Sequence, residues 1–321
     1  MIRYLGIGCL VAASLYITRC YFVGKKCACT KIYVNGEYII VTGASSGIGK
    51  ATATELAHRG ARVILACRDV EKARRVRNKI ILVTSNINVT VLHLDLTSFK
   101  SIRKFVAEVK ELIAGHQLAA LVNNAGLFYA DPKLSEDGYD LTFQTNYLGP
   151  FLLTQLLLPT LEESPEARVI NISSAAHLSA PTVSIGQLIS FDKSSYNKLN
   201  AYRLSKLSLV AYSFKLSTLL EFKNSSVKIF AVDPGNVETE IFRNFPPLCN
   251  PILYWLQKPL RLILVKTPSE GAQSVLHALF CPNLKSIYIS NVSESMKYSD
   301  VVKDTDFCDS LIKASELWVK A

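Results

Sequence analysis

The stretch "YIIVTGASSGIGK" (residues 38–50) decides the fold, because an apolar run rich in β-branched residues leads through a glycine-rich turn into a helical pattern. Glycine is needed where the backbone turns sharply and where the new helix packs closely against the strand. The free N–H groups and the positive dipole end of that helix predict a pyrophosphate site. The residues predicted to surround the phosphates are Gly43, Ser45, Ser46, Gly47, Ile48, Gly49 and Lys50. A solvated lysine on the helix surface is the alternative interpretation of Lys50.

Short apolar segments alternate with helical patterns on the carboxyl side of this turn. After the first strand at 38–42, strand-like runs occupy 61–66, 88–94, 118–123, 167–173, 227–232 and 285–290. Helical patterns occupy 47–59, 70–80, 98–113, 140–161, 201–221 and 269–280. Strands that are apolar almost throughout are buried on both faces, which predicts a parallel sheet between two layers of helices. We therefore predict an α/β fold, a doubly wound, Rossmann-like parallel sheet forming a single domain over residues 37–321.

The amino terminus has a different character. "YLGIGCLVAASLYIT" carries no charge from Tyr4 to Thr18, and the apolar run reaches Val23 if Arg19 snorkels toward a headgroup layer. The pattern predicts a transmembrane helix serving as a membrane anchor over residues 1–24, followed by a linker over 25–36. A cleaved signal peptide is the competing interpretation, but no clear small-x-small site follows the run. Lysines beyond the run slightly outnumber the charges before it, so the positive-inside rule places the main domain in the cytosol.

Charge and cysteine content narrow the function classes. The net charge is +10, but the basic residues are dispersed and no nucleic-acid-binding motif accompanies them. We interpret the charge as membrane proximity combined with a phosphate-bearing ligand, and we expect no nucleic acid partner. Eight cysteines in a chain this long do not indicate a disulfide framework. Cys27 and Cys29 are one residue apart and no CxxC or HExxH pattern exists, so reduced thiols and no metal site are expected.

The end of the second predicted strand bears on cofactor choice. An acidic residue that binds a ribose 2′-hydroxyl is expected there, roughly 20 residues beyond the glycines. The sequence instead has Cys67 followed by Arg68. A guanidinium attracts a 2′-phosphate, and no carboxylate repels it, so NADP(H) is favoured over NAD(H). Asp69 is interpreted as the N-cap of the next helix rather than as a ribose ligand.

The stretch "AYRLSKLSL" (residues 201–209) places a phenol and an ammonium on one helix face. Tyr202 and Lys206 are one turn apart, so both side chains can point into the same space. A cation there is expected to lower the phenol pKa from about 10, which would give a proton donor and acceptor usable near neutral pH. The YxxxK spacing alone is common, and an ordinary surface helix is the alternative.

The order of several motifs resembles that of the short-chain dehydrogenase/reductase family. These are "TGASSGIG", "NNAG" at 123–126, Asn146, "NISS" at 171–174, "YRLSK" at 202–206 and "DPGNVET" at 233–239. A closer similarity is to the membrane-anchored retinol dehydrogenase group. It rests on "RGARVILACRDVEKA", "SIRKF", "NYLGPFLLTQLLLP", "KTPSEGAQS" and the "CACT" linker.

The resemblance implies a role for each matching residue. Tyr202 would give a proton to a carbonyl oxygen, Lys206 would bind the nicotinamide ribose, and Ser174 would hydrogen-bond the substrate oxygen, with Ser173 as the alternative. Asn146 completes the expected catalytic set by holding a water that leads to the lysine. The further expected cofactor contacts are Asp95, Leu96, Asn123, Ala125, Gly126, Pro234, Gly235, Val237 and Thr239. Asp95 would contact the adenine, its alternative being the cap of helix 98–113, and Asn123 would brace the centre of the sheet.

The apolar segment 240–268 occupies the place of the family's substrate lid, and a helix packed into the core is the alternative interpretation. The resemblance thus implies an NADP(H)-dependent oxidoreductase interconverting a lipophilic alcohol and its aldehyde or ketone, retinol and retinal first. A steroid or long-chain aldehyde substrate is left open, as is a non-catalytic, membrane-tethered nucleotide-binding scaffold. The expected location is the endoplasmic reticulum membrane, and a homodimer is left open. His177 is expected to be either a substrate contact or a loop residue.

Overall fold

An eight-stranded sheet forms the centre of the molecule. The computed structural model describes residues 13–20, 23–27, 29, 34, 36–241, 258 and 260–320. The strands are β1 (Tyr38–Thr42), β2 (Arg62–Cys67), β3 (Val89–His93), β4 (Leu118–Asn123), β5 (Arg168–Ile172), β6 (Lys228–Asp233), β7 (Tyr288–Ser290) and β8 (Ser293–Glu294). Their order is β3-β2-β1-β4-β5-β6-β7-β8. All neighbours pair in parallel except β7 and β8. The predicted doubly wound sheet is confirmed.

Helices cover both faces of the sheet. They are α1 (Gly47–His58), α2 (Val70–Thr84), α3 (Phe99–Leu112), α4 (Gly149–Glu162), α5 (Ile185–Ile189), α6 (Lys198–Phe222), α7 (Pro268–Phe280) and α8 (Thr305–Trp318). The apolar residues of α1, α2 and α7 form one core with one face of the sheet. Those of α3, α4, α6 and α8 form a second core on the opposite face. The central strands β1, β4 and β5 are buried at almost every residue, because helices cover both of their faces. The outer strand β3 is only partly buried and the edge strand β8 is exposed.

Local capping signals determine where several helices begin. Asp69 accepts a hydrogen bond from the Lys72 N–H at the start of α2, so its predicted role as N-cap is confirmed. Ser98 caps α3 in the same way. At α7, Thr267 and Glu270 form a reciprocal capping box, and Pro268 occupies the first turn. The sequence patterns located β1 and β4 to the residue, whereas the C-terminal helix α8 and the edge strand β8 were missed.

The N-terminal segment packs against the domain through Arg19. Residues 13–20 are helical, and the Arg19 guanidinium donates two hydrogen bonds to the Glu270 carboxylate, at 2.7 and 2.6 Å, and one to the Val265 carbonyl at 2.6 Å. Arg19 is thus paired with the domain rather than free to snorkel. None of the helices in the described ranges combines the length and the apolar character needed to cross a bilayer. Most of the predicted anchor (1–12, 21 and 22) and of the predicted lid (242–257 and 259) lies outside the described residues.

The cysteines depart from expectation at one place. Cys29 and Cys281 form a disulfide, with their Cα atoms 5.8 Å apart and a separation of 252 positions in the sequence. The structure thus shows the oxidised form of this pair, and for this form the expectation of reduced thiols throughout is wrong. The residues around Cys29 do not predict a pairing with Cys281, because the two segments come together only when α7 packs against α1.

Candidate active site

A cleft of about 390 Å³ opens at the carboxyl edge of the sheet. It lies where β1 and β4 are neighbours, the point at which the strand order reverses and at which open α/β sheets bind ligands. Most of the predicted site residues line it: Ser45, Ser46, Gly47, Ile48, Gly43, Arg68, Asp95, Leu96, Ala125, Gly126, Ser174, Tyr202, Lys206, Pro234, Gly235, Val237 and Thr239. The fold therefore places predicted residues that are spread over nearly 200 positions of the sequence around one cleft.

The glycine-rich turn forms one end of this cleft. Gly43 has φ +65°, and a Cβ there would lie 2.9 Å from the Ala125 Cα. Gly47 has φ +54°, and its Cβ would meet the Thr239 methyl carbon at 3.0 Å. Ser46, at the N-cap of α1, makes no side-chain capping bond, and the first turn contains no acidic residue. The N–H groups of this helix end are thus left for an anion, so the turn fits the pyrophosphate of a dinucleotide.

Four predicted residues lie beside or beneath the cleft. Gly49 is needed for packing, because its Cβ would lie 2.4 Å from the Asn124 amide nitrogen. Asn123 is buried, and its amide donates to Thr154 and Asn171, so it braces the sheet as predicted. Lys50 lines an adjacent cavity of about 760 Å³ along α1. The fourth, Asn146, is described below. Asn124, which the sequence analysis did not single out, lines the cleft itself and donates its amide to the Thr42 carbonyl.

The expected adenosine end carries an exposed guanidinium. Arg68 follows β2 and is exposed, while Cys67 before it is buried. Asp95 accepts hydrogen bonds from the N–H and the hydroxyl of Thr97, at 2.9 and 2.7 Å. Since Ser98 is the N-cap of α3, the alternative interpretation of Asp95 as that cap is wrong. Asp69 is the first carboxylate that follows β2 in the sequence, and it is occupied in capping α2.

Asn146 lies in a π-helical turn, Gln144–Leu148, immediately before α4. Its carbonyl oxygen accepts from the Leu127 N–H at 2.7 Å, and its amide donates to the Leu127 carbonyl at 2.9 Å and the Ser205 hydroxyl at 3.0 Å. A π-turn of this kind widens a helix locally and is frequent at functional sites. Asn146 thereby ties the loop after β4 to the helix that carries Tyr202.

Tyr202 and Lys206 project from α6 into the buried end of the cleft. The Lys206 ammonium donates to the Ile172 carbonyl at 2.7 Å and lies 5.7 Å from the centre of the Tyr202 ring. Burial lowers the pKa of Lys206 to about 8. Burial also raises the pKa of Tyr202 to about 12; a hydrogen bond with Ser174 opposes this rise and the charge of Asp233 adds to it.

The predicted direction of the Tyr202 pKa shift is therefore wrong for the protein without cofactor. Desolvation penalises the phenolate and the ammonium alike, and it outweighs an attraction across 5.7 Å. Tyr202 is consequently a protonated donor throughout the neutral range.

Ser174 is held in place by a buried histidine. The Ser174 carbonyl lies 2.7 Å from the His177 Nδ1, and the Ser299 N–H donates to the His177 Nε2 at 3.4 Å. Because Nε2 accepts, Nδ1 carries the proton and donates to Ser174. His177 is completely buried and does not line the cleft, so the alternative of a substrate contact is not supported. Ser173 is buried at the end of β5, also beside the cleft.

A second buried lysine was missed by the sequence analysis. Lys266 is 2% exposed and donates to the Pro234 carbonyl at 2.9 Å and to the Asn291 side chain. The loop 234–239 is thus fixed from behind, with Asp233 accepting from the Gly235 N–H. No local motif identifies this lysine, because its partners lie 25 and 32 residues away in sequence.

Comparison with known proteins agrees with this geometry. The sequence model of the short chain dehydrogenase family matches residues 37–247. Retinol dehydrogenase 12 of Mus musculus is 40% identical over 88% of this chain and 84% of its own length. Polyprenol dehydrogenase of Homo sapiens is 39% identical over 80% and 77%. Among solved structures, the NADP complex of Pseudomonas aeruginosa RhlG is 27% identical, with a TM-score of 0.58 over 75% of this chain and 88% of that one.

Three observations lead to the same family. The family model matches two thirds of the chain, and the chain is 40% identical to a retinol dehydrogenase. The fold also groups four predicted catalytic residues around one cleft: Asn146, Ser174, Tyr202 and Lys206. The chain belongs to the short-chain dehydrogenase family, within which it resembles the retinol dehydrogenase group, and is an oxidoreductase that acts on CH–OH groups with a nicotinamide cofactor.

Proposed function

We propose that this protein is an NADP(H)-dependent oxidoreductase that interconverts a lipophilic primary alcohol and its aldehyde, with a retinol- or retinal-like molecule as substrate. The observation that carries the proposal is the group formed by the buried Tyr202 and Lys206 and the half-buried Ser174 at the inner end of the cleft, whose outer end carries Arg68. A non-catalytic scaffold would have no use for a buried lysine and tyrosine held so close together, since both are costly to bury.

The chemistry follows from the protonation states of these residues. A bound nicotinamide supplies or accepts the hydride. In reduction, Tyr202, protonated because its pKa is about 12, donates its proton to the carbonyl oxygen. The Ser174 hydroxyl steadies that oxygen, and the Lys206 ammonium stabilises the phenolate that remains. In oxidation the proton moves from the alcohol back to the Tyr202 oxygen.

The lipophilic character of the substrate is supported by the cleft wall and by the relatives. The ring of Phe128 meets that of Tyr202 edge to face, with centroids 4.8 Å apart, and both residues line the cleft. Retinol and polyprenol, the alcohols named in two relatives, are both isoprenoids. We therefore rank an isoprenoid alcohol above a steroid. The segment 240–268 is the proposed lid over this pocket.

NADP(H) is favoured by charge. Arg68 lines the cleft, and the nearest carboxylate along the chain, Asp69, is engaged in capping α2. Lys72 also lines the cleft but is paired there with Glu240. A guanidinium pairs with a phosphate through charge-assisted hydrogen bonds. The relative solved as an NADP complex is consistent with this choice.

The proposal extends to an anchor over residues 1–24 in the endoplasmic reticulum membrane, with the domain in the cytosol. Glycosylation of Asn-x-Ser/Thr sequons tests this topology, and the sequon asparagines Asn88 and Asn224 are both exposed. Asn224 is exposed, whereas the Asn291 side chain contacts Lys266 and faces Gly24. Glycosylation of Asn224 in cells would place the domain in the lumen; an unmodified Asn224 agrees with the cytosol.

The decisive experiment measures NADPH oxidation by the full chain in detergent with retinal, a polyprenal, a long-chain aldehyde and a steroid ketone. Turnover should be greatest with the isoprenoid aldehydes and should be lost in Tyr202→Phe. A folded protein that binds NADPH but reduces none of these carbonyls would contradict the proposal and favour the scaffold.

A further inference from the structure

Three cysteines converge at the amino edge of the sheet, the edge opposite the cleft. The sulfurs of Cys27, Cys29 and Cys281 all lie within 4.8 Å of one another. Cys27 is 1% exposed and Cys281 8%, so two of the three thiols are removed from solvent. Cys27 and Cys29 come from the linker and Cys281 follows α7, so the cluster joins two segments that are distant in sequence. It lies about 18 Å from the phosphate end of the cleft, the length of the 12-residue α1.

A candidate fourth ligand lies beside one of the three thiols, although it is not within 4.8 Å of all three sulfurs. The His277 Nδ1 is 3.0 Å from the Cys281 sulfur, and the two residues are four apart at the end of α7. Cysteines with one imidazole form a common zinc ligand set, in which thiolates bound at about 2.3 Å lie about 3.8 Å apart. A disulfide between Cys29 and Cys281 uses two of the sulfurs and leaves the buried Cys27 and the adjacent His277 without a role.

Two buried guanidiniums hold the backbone of the candidate ligands. Arg59 donates to the Cys29 carbonyl at 2.8 Å, and Arg168 donates to the Cys281 carbonyl at 2.9 Å. The Gln273 side chain accepts from the Cys27 N–H at 3.0 Å. Zinc with three thiolates and a neutral imidazole carries a net charge of −1, which the nearby Arg168 guanidinium offsets, whereas Arg59 is paired with Glu55. Such outer contacts orient ligands and are part of what makes a metal site tight.

We propose that Cys27, Cys29 and Cys281, with His277 as the fourth ligand, bind one structural Zn²⁺ in the reduced protein. Each coordinated thiol gives up its proton, so binding releases protons to solvent. The Cys29–Cys281 disulfide is the metal-free alternative, because a sulfur in a disulfide is not available as a thiolate ligand. The zinc would fasten the linker to α7, and so fix where the N-terminal segment leaves the domain.

The test begins with the unaltered full chain, purified in detergent through a tag without histidine and with no chelator. We expect about one zinc per chain by elemental analysis. After denaturation with chelator but without reductant, all eight cysteines should react as thiols. Six reactive thiols with no zinc would establish the disulfide and overturn the proposal. Eight thiols with no bound zinc, and no uptake of added Zn²⁺, would also overturn it.

Cys27→Ser is the discriminating variant, because Cys27 takes no part in the disulfide. Its zinc affinity should fall at least 10-fold, and Co²⁺ should give much weaker sulfur-to-cobalt charge-transfer absorption than in the unaltered chain. The matched control is Cys20→Ser, an exposed thiol of the same segment, which should change neither. NADPH affinity should be unchanged in both variants, which shows that they fold. Zinc retained at full affinity by Cys27→Ser would place the metal elsewhere and refute the site.

Discussion

At the carboxyl edge of the sheet, the buried Lys206 and Tyr202 face a cleft open to ligands, whereas at the amino edge the buried Arg59 and Arg168 are bound to groups of the protein itself. Arg168 donates to two backbone carbonyls, and Arg59 donates to one carbonyl and pairs with Glu55. At the carboxyl edge, burial disfavours the charged forms of both groups, so it raises the pKa of Tyr202 and lowers that of Lys206. Changes at the first edge should therefore reduce activity, and changes at the second should reduce stability.

The largest effect should come from Tyr202→Phe. Removing the phenol oxygen should lower kcat by at least 100-fold, the usual scale for a positioned proton donor. Steady-state NADPH oxidation measures kcat, and a binding titration measures the affinity for NADPH. The affinity should hardly change, because the phenol acts mainly in the transition state. A variant within a few-fold of the unaltered kcat would refute the role of Tyr202 and erase the functional contrast between the edges.

Arg68→Ala comes next and separates the two cofactors. Loss of a charged hydrogen-bond donor should weaken NADPH binding by about 1.5–3 kcal/mol and leave NADH binding nearly unchanged. Titration of each cofactor by fluorescence measures this. The control is Arg74→Ala, an exposed arginine on α2 that pairs with Glu71. Equal losses for NADPH and NADH would mean that Arg68 does not contact the 2′-phosphate.

At the amino edge, Arg168→Met should cost about 2 kcal/mol of unfolding free energy, because the Ala278 and Cys281 carbonyls lose a charged donor. Denaturant unfolding of the domain measures this change, and NADPH affinity should be retained. Arg74→Met, with a side chain 60% exposed, should shift stability by less than about 0.5 kcal/mol. An Arg168→Met variant that lost affinity for NADPH but kept its stability would contradict the assignment of stability, rather than activity, to the amino edge.

The smallest of the expected changes in stability concerns Lys206, and it is a gain in stability rather than a loss. The folded state lowers the pKa of Lys206 from 10.5 to about 8, so below pH 8 the folded protein bears the cost of a buried charge. Lys206→Met should be inactive yet more stable by about 1 kcal/mol at pH 7. Between pH 8 and 10.5 the unfolded chain binds more protons than the folded one at this site. The stability of the unaltered protein should therefore rise relative to Lys206→Met, and the advantage of the variant should shrink.

Thermal unfolding of both proteins at pH 7 and pH 10 provides this comparison. A constant difference between them would show that Lys206 does not titrate within this range.

Sequence patterns predicted much of this molecule because their signals are local. The strands β1 and β4, the N-cap Asp69 and the uncapped glycine turn before α1 each depend on residues within a few positions of one another. The C-terminal helix α8 was missed because it lies beyond the last predicted strand, at 285–290, where the alternation of strands and helices ends. The π-turn that carries Asn146 was predicted as ordinary helix, and no local pattern indicates that Asn146 bonds Leu127, 19 residues away.

The sequence by itself determined the doubly wound fold, the phosphate-binding turn and the pairing of Tyr202 with Lys206, because strand burial, glycine conformation and helical spacing are properties of short segments. Only the tertiary structure decided the direction of the Tyr202 pKa, which depends on how completely the fold excludes water. It alone placed Lys266 behind the loop 234–239 and brought Cys27 and Cys29 to Cys281. Such contacts join positions tens to hundreds of residues apart, and no local pattern encodes which distant segment the folded chain will bring alongside.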